Sequence, residues 1–218
     1  MNKYFCKILF FAICFVWTLY PSQVSADSIA LPGDKADYVL TITDPQTNDS
    51  WEWQLSDNCS NVDIMREVVR GESTDEEQVF LNSVEVDVTP YIKQTLDKAT
   101  QKTLSASHTD GITIKTGFKY SANASRNTVR MYSTSGSTTN RGIYYASNRH
   151  TTWRNPGAGV SGQKYPSSGS WNYTISSTEG AYYFSNPPFS FAECRVNISG
   201  MTAYRNISIL CSLSSGLA

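Results

Sequence analysis

From Tyr38 to Leu213 most of the chain alternates apolar with polar residues at a period of two, with only two short stretches spaced like helices. Successive side chains of a strand point to opposite faces, so this alternation requires half-buried strands. Tyr38, Leu40 and Ile42 share one face, and Trp51, Trp53 and Leu55 share another with Glu52 and Gln54 between them. Asp44 to Asp49 joins the two as a polar turn. Val84, Val86 and Val88 alternate with Glu85 and Asp87, and Ile112, Ile114, Phe118 and Tyr120 alternate with Lys115 and Lys119. Further strands are expected at 128–133, 142–147, 170–176, 181–184, 189–196 and 205–213. The turn clusters between them are Ser135-Gly136-Ser137, Asn155-Pro156-Gly157, Pro166-Ser167-Ser168-Gly169 and Asn186-Pro187-Pro188. Many short strands at fairly even spacing predict a mainly β protein, an antiparallel β-sandwich or open barrel.

The two helical stretches lie in the first half. Ser60 with Asp63 three residues on, then Ile64, Met65, Val68 and Val69 before Gly71, predicts a capped helix of two or three turns. Thr89-Pro90 followed by Ile92, Leu96 and Ala99 predicts a second helix reaching about Lys102, with Thr89 as N-cap. Residues 72–77 read as an acidic, solvated loop.

Residues 1–26 have the pattern of a secretory signal peptide. Lys3 and Lys7 precede the apolar run Ile8 to Leu19, Tyr20-Pro21 breaks it, and Val24-Ser25-Ala26 supplies a cleavage site after Ala26. The run is shorter than the ~20 residues of a membrane-spanning helix, so a secreted chain without a transmembrane segment is expected. Charge then divides the remainder. Residues 27–105, an acidic α+β region, hold 16 acids and 6 bases, whereas residues 106–218, a basic, aromatic-rich β region, hold 10 bases and 3 acids. The two regions can form one domain and neutralise each other, or the positive region can meet an anionic partner outside the cell.

Cys6 and Cys14 fall in the leader, which leaves Cys59, Cys194 and Cys211. With Ser199 to Arg205 as the connection between the last two strands, Cys194 and Cys211 would sit opposite each other and form a disulfide, leaving Cys59 unpaired. A disulfide from Cys59 to either one is the alternative. Six Asn-x-Ser/Thr sequons, at Asn48, Asn58, Asn123, Asn172, Asn197 and Asn206, matter only in a source that glycosylates secreted proteins.

Catalytic chemistry is thinly represented. His108 and His150 are the only histidines, no Cys or His spacing suits zinc, and no Gly-x-Ser-x-Gly elbow is present. Asp44, Asn48 and Asp49 lack the spacing of a calcium loop. No cofactor or metal is expected. Arg126, Arg130, Arg141, Arg149, Arg154 and Lys164 fall among Tyr132, Tyr144, Tyr145, Trp153 and Tyr165. Arginines beside aromatics suit anionic glycans, phosphate-bearing polymers or lipid headgroups. The expectation is a secreted, non-enzymatic binding or surface-associated protein for an anionic glycan, cell-wall polymer or membrane surface, with nucleic acid excluded by export. Its ligand residues are expected to be Arg149, Trp153, Arg154 and Lys164. The alternatives are a toxin or antimicrobial precursor with an acidic pro-segment released near Lys102, and a hydrolase built around His108 or His150.

Overall fold

The computed structural model describes residues 36–70, 77–96, 110–123, 125–183 and 185–213. The leader, most of the acidic loop, the expected helix beyond Leu96 and His108 lie outside the described residues. Twelve strands and one short helix make up the rest: β1 (Ala36–Thr43), β2 (Ser50–Gln54), β3 (Val62–Val68), β4 (Val79–Asp87), α1 (Thr89–Gln94), β5 (Gly111–Asn123), β6 (Thr128–Arg141), β7 (Tyr144–Asn155), β8 (Val160–Lys164), β9 (Ser170–Thr174), β10 (Gly180–Ala181), β11 (Phe189–Ile198) and β12 (Tyr204–Leu213).

The strands form two antiparallel sheets, and the protein is mainly β with a sandwich-like core, as the alternation predicts. Sheet A has the order β2-β1-β12-β11-β7-β8. Sheet B has the order β10-β6-β5-β4-β3, and β9 also pairs with β6. Alternate residues of each strand face the space between the sheets. Sheet A supplies Leu40, Ile42, Val196, Ile207 and Ile209, and sheet B supplies Val84, Val86, Ile112, Ile114, Phe118 and Met131, all buried. Hydroxyls bridge the sheets inside this layer. The Oγ of Ser190 on β11 lies 3.0 Å from the Oγ1 of Thr116 on β5 and 2.6 Å from that of Thr134 on β6. Strands from the acidic and basic regions share both sheets and meet at one seam in each, where β1 pairs with β12 and β4 pairs with β5.

Several local expectations are corrected. Residues 62–68 form the strand β3, antiparallel to β4 from Val62 opposite Val86 to Val68 opposite Phe80. Val62, Ile64 and Val68 serve a strand face as well as a helix face, and the open edge of β4 decides between them. In α1 the N-cap is Val88, without a side-chain cap hydrogen bond. The Thr89 hydroxyl instead accepts from the backbone N–H of Ile112 at 2.9 Å, while Asp87 Oδ1 accepts from the Thr89 N–H at 3.0 Å. Ser135-Gly136-Ser137 is strand interior, because β6 continues to Arg141. The strand β8 follows the Asn155-Pro156-Gly157 turn without a preceding sequence signal.

The disulfide is also corrected: Cys59, Cys194 and Cys211 are all free. In the β11–β12 hairpin Cys194 faces Ile207 and Cys211 faces Ser190. The sulfurs lie on the same inward face but four positions apart in register, an offset of roughly 13 Å along the strands. That separation is far beyond disulfide reach. Burial pushes the Cys194 thiol up to about 12, against the opposing charge of Arg149, and raises Cys211 further still. Thiol-directed alkylation of the native protein is therefore expected to label Cys59 alone, with Cys194 and Cys211 reacting only after unfolding. Peptide mapping that found a Cys194–Cys211 bridge would overturn this register.

Arg205, 6% exposed, fastens the turn between β1 and β2 to β12 and α1. It pairs with Asp44 at 3.0 Å, and its guanidinium donates to both Oγ1 and the carbonyl of Thr95, each at 3.0 Å. Asp44→Ala would leave that buried cation short of its counter-charge, at a cost of about 3 kcal/mol. Urea unfolding should show that loss, and the double variant Asp44→Ala/Arg205→Met should recover most of it.

Candidate anion-binding cleft

The four residues expected to bind ligand do not form one surface. Two residues of β7, Asn148 and Arg149, stand opposite Cys194 alone, a β-bulge with Asn148 at φ 47°. The bulge reverses which side chains face inward, from Tyr144 and Ala146 before it to Thr151, Trp153 and Asn155 after it. Arg149 turns toward sheet B, where its Nε donates to Thr138 Oγ1 at 2.7 Å and its Nη2 to the Ala146 carbonyl at 3.1 Å. Trp153 is buried and stacks on Tyr173 of β9, with ring centroids 6.3 Å apart. Gly162 makes room for it, since a Cβ there would run into the indole. Arg154 is exposed on the outer face, opposite Phe189 and Ser161, whereas Lys164 is exposed opposite the inward-facing Thr151. Arg149 and Trp153 thus hold the sandwich together, and Arg154 and Lys164 point to different sides.

His150 lies on the outer face of sheet A. Its ring stacks on Tyr165 at 4.7 Å, and its Nδ1 is 3.7 Å from Glu193 Oε2. Cys59 follows β2, which three strands separate from β7 in the sheet order, so the two do not make a nucleophile and base.

A more convergent group is built on sheet B, around Arg130 and Tyr132. The register of β5 and β6 slips by one residue at Tyr120 opposite Met131 and Lys119 opposite Ser133, so Tyr132 is the extra residue of a bulge. A bulged residue is re-aimed relative to its neighbours. The Tyr132 hydroxyl donates to Glu77 Oε1 at 2.5 Å, and the Ser121 hydroxyl donates to the same oxygen at 2.5 Å. These two donors, with the nearby Arg130 charge, hold the Glu77 carboxyl below its ordinary range, and Tyr132 is raised by burial and by its bond to Glu77. The Arg130 guanidinium lies over the Tyr132 ring, 5.1 Å from its centroid.

Around these residues is a cavity of about 580 Å³ lined by Glu77, Ser121, Asn123, Arg126, Thr128, Arg130 and Glu179. Its other charges are already engaged. Glu179 accepts from Thr128 Oγ1 at 3.4 Å and lies 4.0 Å from Arg126. Arg130 differs: its Nε is buried and has no hydrogen-bond partner. A desolvated guanidinium N–H without an acceptor is costly, and a guanidinium that lines a cavity is suited to a carboxylate, sulfate or phosphate oxygen. Arg130 and Tyr132 are legible in the sequence as an arginine beside an aromatic. Glu77, Ser121 and Glu179 are not, because only strand pairing brings them together.

Among the described residues no group of three or more His, Cys, Asp or Glu could hold a metal ion, and no helix is long and apolar enough to cross a membrane. Comparison of the chain with known protein families, curated proteins and solved structures finds no match.

The lowered carboxyl of Glu77 has a definite sign in stability. Its bonds to Ser121 and Tyr132 contribute fully above the ordinary carboxylate range and are lost as pH falls through the lowered folded value. Thermal unfolding followed by circular dichroism should therefore separate wild type from Glu77→Gln at neutral pH. The two should converge in acid, and a difference that grew on acidification would contradict the assignment.

Proposed function

We propose that this is an extracellular, non-enzymatic binding protein that takes an oxyanion-bearing ligand in the Arg130 cleft. The observation that carries the reading is Arg130, which lines a polar cavity with its guanidinium over Tyr132 and its buried Nε without a hydrogen-bond partner. The hydroxyls of Ser121 and Tyr132 bond Glu77 without removing its charge, and Glu179 is bonded by Thr128 and lies 4.0 Å from Arg126. The acidic group of a ligand is therefore directed to the Arg130 side of the cavity. Asn123, Thr128 and Glu179 can hydrogen-bond the hydroxyls of a ligand whose acidic group meets Arg130.

The extracellular part of the reading rests on the leader pattern at residues 1–26. Release of residues 106–218 as a cationic toxin would strip β1 from β12 and β4 from β5, opening both sheets at once. A stable module therefore fits the pairing better than a precursor. Intact-mass measurement of the exported product should give a chain beginning at Asp27, and one beginning past residue 100 would favour the precursor.

Binding to polygalacturonate or to anionic phospholipid vesicles tests the cleft. Arg130→Ala should weaken binding about tenfold or more, as expected for loss of a charge-assisted contact. Arg154→Ala and Lys164→Ala should leave it within about twofold, as exposed charges do. Raising NaCl from about 0.05 M to about 0.5 M should weaken it steeply. Binding indifferent to salt and to Arg130 would end this reading.

A further inference from the structure

The cleft does not stop at Arg130. A second cavity, of about 570 Å³, is lined by Arg130 again, together with Tyr132, Val160, Ile175, Ser177 and Thr178. Arg130 therefore borders two spaces of different character, the second of them beside the ring on which it stacks. The first offers carboxylates, an amide and hydroxyls. The second sets the apolar Val160 and Ile175 beside serine and threonine hydroxyls.

Resting on the oxyanion reading above, the geometry points to a chain-like ligand: an acidic oligosaccharide with its charged group on Arg130 and sugar rings on both sides. A sugar ring presents C–H groups on its faces and hydroxyls around its rim. The second cavity, with an apolar wall and hydroxyls at its border, matches that pattern, and the first matches the rim alone. A bilayer headgroup would enter one space from its mouth and leave the other empty. Arg130 is the residue common to both cavities, and its guanidinium rests over the Tyr132 ring that lines the second. Strand geometry holds that ring in place. Tyr132 is fixed by its bulge and by the Ile175 N–H, which donates to the Tyr132 carbonyl at 2.7 Å.

The test is calorimetric titration with uronic-acid oligosaccharides of one to six rings, alongside anionic vesicles. Wild type should bind the tetramer about tenfold more tightly than the monomer, because rings beyond Arg130 add contacts to a site already formed. Thr178→Trp puts an indole into the second cavity from an exposed position, and Ser176→Trp does so from a neighbouring one. Both should leave monomer affinity within about twofold and abolish the gain with length. Arg130-dependent binding with no length gain, or a gain untouched by both variants, would overturn the chain-like ligand and leave the oxyanion site standing. Vesicle binding that requires Arg130 with no oligosaccharide binding would overturn it in favour of a headgroup. Absence of any Arg130-dependent binding would remove the site and this inference together.

Discussion

A guanidinium withdrawn from water must find its partners inside the protein, and Arg205 finds them in two distant parts of the chain and so ties three together. Asp44 reaches it from the turn after β1, Thr95 from the end of α1, and β12 carries it. This clasp holds the first strand of the described fold against the last. It also seats α1 over the end of the core, where Tyr91, Ile92 and Leu96 are buried and Tyr91 meets Trp53 with ring centroids 5.0 Å apart. In sheet A the strand β1 lies between β2 and β12 and pairs with both.

The same clasp changes the meaning of the charge partition. Read along the chain, acids gather before residue 105 and bases after it. In space the two regions are joined within both sheets, so Arg205 meets Asp44, Lys115 lies 3.6 Å from Glu85, and Arg130 stands near Glu77. Neutralisation between the regions uses up part of the positive charge. Arg149, in turn, spends its donors on Thr138 and Ala146. Arg130 and Arg195 each keep a buried Nε without an acceptor, and of the two Arg130 is the one that lines the cleft.

Bulges do much of the positioning. In β7 the bulge at Asn148 and Arg149 carries Trp153 into the interior, where it stacks on Tyr173 and links the β7–β8 edge of sheet A to β9 of sheet B. In β6 the bulge at Tyr132 brings a ring under Arg130 and a hydroxyl to Glu77. A one-residue insertion in a strand reverses its inward and outward faces. Local alternation cannot reveal this, because the residues on each side of a bulge still alternate correctly. Trp153 was legible as an aromatic beside arginines, and its role as an edge closure was not.

The period-two pattern by itself indicated most of the strands, the turn at Asp44 to Asp49 and a mainly β fold, sandwich or open barrel, because burial of one strand face needs nothing beyond a neighbour. Two sheets and the strand β8 were decided by the tertiary structure. Register, helix length and β3 belonged to the tertiary structure. Residues 62–68 suit either period until β4 offers an edge, and the β11–β12 hairpin separates Cys194 from Cys211 through where its turn falls. The cleft belonged to it entirely. Glu77, Ser121, Arg130 and Glu179 are far apart along the chain, and only strand pairing puts them around one cavity.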